Sequence, residues 1–201
     1  MDNKKRALQL SYFTVGYNVL EGIVSILSGL AAGSSALIGF GTDSFVESLS
    51  GSVMIWRFRK HGGMTHEEEE RIERKAIQFV AYSLFVLGAY VFYESAKKLY
   101  LQDPPEKSLI GIIIAIVSII VMPALFYLKY QTGKSMKSRS LVADSKQTLA
   151  CVMLSFALLI GLGVNYLFGF WQADPIVGII IAGFLIREGY KAHKEKELCE
   201  C

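Results

Sequence analysis

Asp43 and Glu47 lie one helical turn apart in GTDSFVESLSGSVMIW, residues 41–56, a stretch whose other residues suit a lipid environment. At i,i+4 spacing their carboxylates share one helix face within roughly 6 Å. At an effective dielectric of about 20, two negative charges at that distance repel by nearly 3 kcal/mol, in order of magnitude. A divalent cation between them would relieve the repulsion and displace a proton, so metal binding and proton release become linked events. An acidic residue at the centre of a membrane helix costs about 2.5–3.5 kcal/mol. Two of them therefore imply an ion site or, in the plainer alternative, a structural pair hydrogen-bonded to neighbouring helices.

An ion site needs donors from a second segment, and SLVADSKQTLACVMLSF, residues 140–156, offers Asp144, Gln147 and Cys151 at helical spacing. Gln147 and Cys151 are four apart, with Asp144 three residues before Gln147. Gln and Cys are also ordinary interhelical packing residues. Asn18 and Glu21, at i,i+3, could line the same cavity behind the ligands or hydrogen-bond to the segment that carries Asp43.

The elements that position these residues follow from composition. Of 201 residues 52% are hydrophobic, above the usual share for a soluble domain. The apolar residues fall in six blocks, roughly 8–30, 36–56, 76–100, 109–130, 141–163 and 173–190, each near the ~20 residues a bilayer core requires. Runs such as IGIIIAIVSIIVM lack the alternation of a barrel strand, so the blocks are helices. The fold class is all-α, a polytopic membrane protein with six transmembrane helices forming one domain over residues 1–201 and no separate soluble domain. The first block follows MDNKKR, but Asn18 and Glu21 interrupt it, and it exceeds the ~7–15 residues of a signal core. It reads as a retained span.

Basic residues set the orientation. Lys4, Lys5 and Arg6, the 57–75 loop, the segment holding Lys129, Lys134, Lys137 and Arg139, and the C-terminal Arg187 to Lys196 all fall on one side. Only Lys97, Lys98 and Lys107 fall opposite, with Lys146 inside the fifth block. The positive-inside rule makes both termini cytoplasmic. The net charge of +3 belongs to a membrane-facing surface and gives no support to nucleic-acid binding. Thr65-His66-Glu67-Glu68 reads as a capping box that starts the third helix. Asp174-Pro175 reads as an N-cap with Pro at N1 of the sixth, and Gly22, Ser25 and Gly29 form a small-residue stripe for close packing. Cys151, Cys199 and Cys201 make no disulfide framework, and the terminal CEC alone is a poor metal site.

Taken together, DSFVE, ADSKQTLAC and WQADPIVGIIIAGFLI resemble the transmembrane domain of the cation diffusion facilitators, across nearly all six spans. That resemblance implies a tetrahedral site for zinc or a related metal, built from an acidic pair on span 2 and an HxxxD pair on span 5 and exchanged for protons. Mapped here, the first pair is Asp43 and Glu47 and the second Gln147 and Cys151, with Asp144 able to substitute by a small rotation. Gln147 stands where the family has His and Cys151 where it has Asp, so either the ligand set is re-tuned toward a thiolate, a strong zinc ligand, or Asp144 substitutes, or transport is lost. The family's cytoplasmic C-terminal domain is not expected, since AHKEKELCEC alone follows the last span.

The implied activity is transport rather than enzymatic catalysis: export of a divalent transition metal from the cytoplasm by proton antiport. Zinc is the favoured cargo, with manganese, cadmium, cobalt and iron as alternatives, and no prosthetic group is implied. The expected partners are the bilayer, metal ions, protons and a second copy of the chain in a homodimer held by helix faces. The competing functions are a non-transporting regulatory or structural membrane protein and a cation or proton channel. The topology predicts that a membrane-impermeant thiol reagent labels Cys199 only after permeabilisation; labelling in intact cells overturns it.

Overall fold

Lipid offers the backbone no hydrogen-bond partners, and outside short turns this chain satisfies its backbone in helices. The computed structural model describes residues 3–59, 66–136 and 138–198. They form α1 (Asn3–Ala32), α2 (Ser35–Arg59), α3 (His66–Leu101), α4 (Leu109–Ser135), α5 (Arg139–Phe168) and α6 (Ala173–Leu198), with no strand among the described residues. Thr65 of the expected capping box, the side chains of His66–Glu68, and Cys199 and Cys201 lie outside what is described. Even α2, the shortest helix with 25 residues, spans about 38 Å. By length and composition alone, Lys4–Ala32, Leu109–Ser135 and Asp144–Phe168 qualify as membrane spans among the described residues.

Turn chemistry sets the helix ends. Ser108 and Ser138 accept hydrogen bonds from the backbone N–H of Gly111 and Leu141, capping α4 and α5. Gly169, at φ +66°, closes α5, and Gly33, at φ +60°, turns the chain from α1 into α2, a backbone region open to glycine without steric cost. Ser34 Oγ accepts from the Leu37 amide and caps α2. Asp174 departs from its expected role. It lies inside the first turn of α6 rather than before it, and its carboxylate accepts from the Ser34 hydroxyl at the start of α2. One helix thus places an anion at the positive N-terminus of its neighbour.

The bundle is apolar outside and buries many polar side chains beside an apolar centre. Ser11, Thr14, Asn18, Glu21 and Ser25 are buried on α1, whereas Phe13, Leu20, Leu27 and Leu30 are exposed. Large apolar side chains also cover the outer faces of α3, α4 and α5, among them Val86, Tyr93, Ile120, Ile160 and Leu167. A water-soluble fold has the reverse distribution; here lipid is the natural solvent for the exposed face. The helices pack chiefly as the pairs α1–α2, α3–α6 and α4–α5, with α2 also against α3, α5 and α6. Leu37, Phe40, Met122, Leu154, Leu158, Ile181 and Leu185 fill the centre.

Small residues allow α1 and α2 to approach closely. A Cβ on Gly41 would lie 2.8 Å from Ser25 Cβ and 3.0 Å from the Gly22 carbonyl oxygen. Gly163, also helical, has nothing within 4 Å of such a Cβ. Gly41→Ala is therefore expected to lower stability by about 1–3 kcal/mol, and Gly163→Ala to leave it unchanged or raise it slightly. Thermal unfolding in detergent, followed by size-exclusion profile, checks both.

Candidate intramembrane ion site

The inward face of α5 repeats at Leu141, Asp144, Ser145, Thr148, Cys151, Val152 and Ser155, all buried, the three- and four-residue spacing of a helix presenting one stripe to a core. Across from it, α2 presents Glu47, fully buried. Between them stands Lys129 of α4, also fully buried. Its ammonium is 2.9 Å from Asp144 Oδ2 and 3.5 Å from Glu47 Oε1. It also donates to Thr148 Oγ1 at 2.9 Å, and that hydroxyl in turn donates to Glu47 Oε1. Ser50, one turn along α2 from Glu47, donates to Asp144 Oδ1 at 2.8 Å. Three helices thus meet in one network of two carboxylates, one ammonium and two hydroxyls.

Lys129 was grouped by sequence with the basic residues of the 4–5 connection. The structure corrects this: it belongs to α4 and points into the protein, so it contributes nothing to a cytoplasmic charge surface. A signal was present. Gly111, Ala115, Ser118, Met122, Leu125, Lys129 and Thr132 form an unbroken buried stripe along α4, and Lys129 continues its spacing.

The other sequence-derived residues are distributed unevenly. Asp43 is only partly buried while Glu47 is wholly so, so the two acids are inequivalent despite sharing a face. Gln147 is half-buried, and it is the adjacent Thr148 whose hydroxyl reaches the Glu47 carboxylate. Cys151 is a buried free thiol on the Glu47 side of α5. Glu47 Oε2 has no hydrogen-bond partner, which leaves one buried acceptor open toward this region.

A second polar layer lies further along the bundle. Glu21 accepts from Tyr17 Oη and Ser44 Oγ, each at 2.9 Å, which ties α1 to α2 one residue past Asp43. Ser155 donates to Ser118 Oγ at 2.9 Å, joining α5 to α4. Asn18 is fully buried, and neither polar atom of its amide has a partner. In this conformation the described residues contain no group of three or more His, Cys, Asp or Glu side chains placed to hold a metal ion.

In a helical membrane protein, acidic residues from two helices thus converge on one buried cation position. The cation efflux transmembrane domain family matches residues 12–196, and this chain belongs to that family. It is 24% identical over 190 residues to Transmembrane protein 163 of Xenopus laevis, covering 94% of this chain and 66% of that protein. It is 22% identical over 172 residues to the cation-efflux pump FieF of Shewanella oneidensis, covering 83% of this chain and 57% of that protein. It is also 22% identical over 199 residues to a cadmium, cobalt and zinc/H(+)-K(+) antiporter of Bacillus velezensis, covering 96% and 62% respectively. The chain spans less than two thirds of the length of each of these relatives.

Removing one member of a buried ion pair strands the other charge, at about 3–5 kcal/mol, whereas replacing both by apolar groups is often neutral. Lys129→Leu is therefore expected to destabilise the protein strongly, since it strands both Glu47 and Asp144, and Asp144→Leu to cost less, since Lys129 keeps Glu47 as its partner. Unfolding midpoints of the two variants in the same detergent measure the difference.

Proposed function

We propose that this protein moves a divalent transition-metal cation across a membrane in exchange for protons, with zinc the favoured cargo and export from the cytoplasm the direction. The observation that carries the reading is the convergence of Glu47 of α2 and Asp144 of α5 on one buried cation position. Family membership and the antiporter relative support it. Asp43, Glu47, Asp144 and Cys151 are assigned to the metal, with Gln147 at the rim and Asn18 and Glu21 behind them. Carboxylates supply charge compensation and a place for the returning proton, and the Cys151 thiolate would supply affinity for soft ions. The proposal includes six membrane spans, cytoplasmic termini and a homodimer formed through helix faces in lipid.

A second reading, a membrane protein that kept the fold without transporting, is favoured by one observation: the cation position already holds the Lys129 ammonium. Vesicle transport separates the two. Purified protein in proteoliposomes is expected to move Zn²⁺, and Glu47→Gln to reduce the rate to background while the protein still elutes as a single species. A proton gradient opposed to the metal flux, acid on the side the metal is leaving toward, is expected to speed it, since protons return as metal departs. Cys151→Ser should slow Zn²⁺ and Cd²⁺ by at least several-fold and Mn²⁺ less, because a thiolate contributes mainly to soft-metal binding. Equal Zn²⁺ flux in Glu47→Gln and unaltered protein would discard this site.

A further inference from the structure

We infer that Lys129 is a tethered cation that occupies the carboxylate site between transport events and must be withdrawn before a divalent ion can bind there; the inference rests on the transport reading above. The groups that hold its ammonium, Glu47 Oε1, Asp144 Oδ2 and Thr148 Oγ1, are the oxygen donors that α2 and α5 bring to the site. A divalent metal would need Glu47 and Asp144 at metal–oxygen distances of about 2.0–2.2 Å. With the ammonium retained, metal and lysine would be held against each other by the same two carboxylates in a medium that screens poorly. The two cations therefore exclude one another.

The charge balance supports exchange. Glu47 and Asp144 together carry two negative charges when ionised, and Lys129 offsets one of them. Replacing the lysine with a divalent ion offsets both. A lysine suits this role better than an arginine. Its charge is compact and sits on a flexible four-carbon stem, so the ammonium can retreat while α4 stays in place. The open acceptor on Glu47 Oε2 gives an arriving metal a first contact that Lys129 does not already hold.

The device would act in both halves of a cycle. On release, the returning ammonium competes for the carboxylates and hastens departure of the metal. Afterwards it prevents two uncompensated carboxylates from facing each other in the core. Lys129 would thus set the affinity of the site and its preference for divalent over monovalent cations, since a singly charged ion gains no charge balance by displacing it.

A purely structural lysine makes the opposite prediction, because its removal would loosen the site and weaken metal binding. The test is Zn²⁺ affinity, measured by competition with a zinc-sensitive dye, for the full chain and for Lys129→Met and Lys129→Gln. Gln retains hydrogen-bond donors, so loss of folding in the Met variant leaves the comparison intact. Both folded variants are expected to bind Zn²⁺ at least tenfold tighter than unaltered protein and to transport it more slowly in vesicles. In the unaltered protein, saturating Zn²⁺ should increase reductive methylation of Lys129, read by mass spectrometry, an arm that needs no variant. Zinc binding by unaltered protein that is equal or tighter than in the variants, or Lys129 labelling unmoved by zinc, overturns the inference and leaves the transport reading standing. No zinc binding by unaltered protein or by either variant overturns both. Binding by the variants alone likewise overturns both, since the native lysine is then never withdrawn for metal.

Discussion

A lysine with no exposure to solvent, held between a glutamate and an aspartate on two other helices, is the interaction to which the rest of this bundle is fitted. Burying any of these charges alone in a low-dielectric interior costs several kcal/mol, in order of magnitude. Each helix is therefore tied to a register in which the charges meet. Sliding α4 by one residue would turn Lys129 toward the lipid-facing side and leave Glu47 and Asp144 opposed to each other. The hydroxyls of Thr148 and Ser50 take up remaining hydrogen-bonding capacity, and the apolar stripe of Met122, Leu125, Leu154 and Leu158 packs beside them. Apolar packing between membrane helices is weakly directional, because lipid tails offer comparable contacts. Polar pairing supplies the missing directionality.

The same economy appears one layer further along, where Glu21 binds Tyr17 and Ser44 and Ser155 binds Ser118. Each bond joins or braces helices already in contact, so the polar residues form a column through α1, α2, α4 and α5. α3 and α6 pack mainly on each other and meet the column through α2 and α5. In this arrangement four helices carry the chemistry and two support them.

Much of this is legible in the sequence. The six helices follow from apolar runs of bilayer length, and the acids of α2 stand out because lipid makes carboxylates costly. What stayed hidden depends on side-chain direction near helix ends. Lys129 borders a basic, polar connection and reads as part of it; its register with Ser118, Met122 and Leu125 is the only hint that it faces inward. Gln147 drew attention over Thr148 because an amide resembles a ligand more than a hydroxyl does, yet a one-residue step is about 100° of rotation on a helix, and it is the hydroxyl that reaches the ion pair. Asp174 beside a proline suggests a cap for its own helix. Its attachment to α2 depends on the distant Ser34 turn, which no local pattern encodes.

That turn belongs to a rim where three connections gather at one end of the bundle. Asp174 meets Ser34, Lys98 binds the Gly33 carbonyl, the Glu106 amide donates to the Ala32 carbonyl at 2.7 Å, and Lys107 binds the Tyr166 carbonyl at 2.9 Å. The contacts link the α1–α2, α3–α4 and α5–α6 turns like a drawstring. A bundle cinched at one end behaves mechanically as a set of levers with a common fulcrum. Small tilts at the rim become large separations at the far end, nearer Lys129.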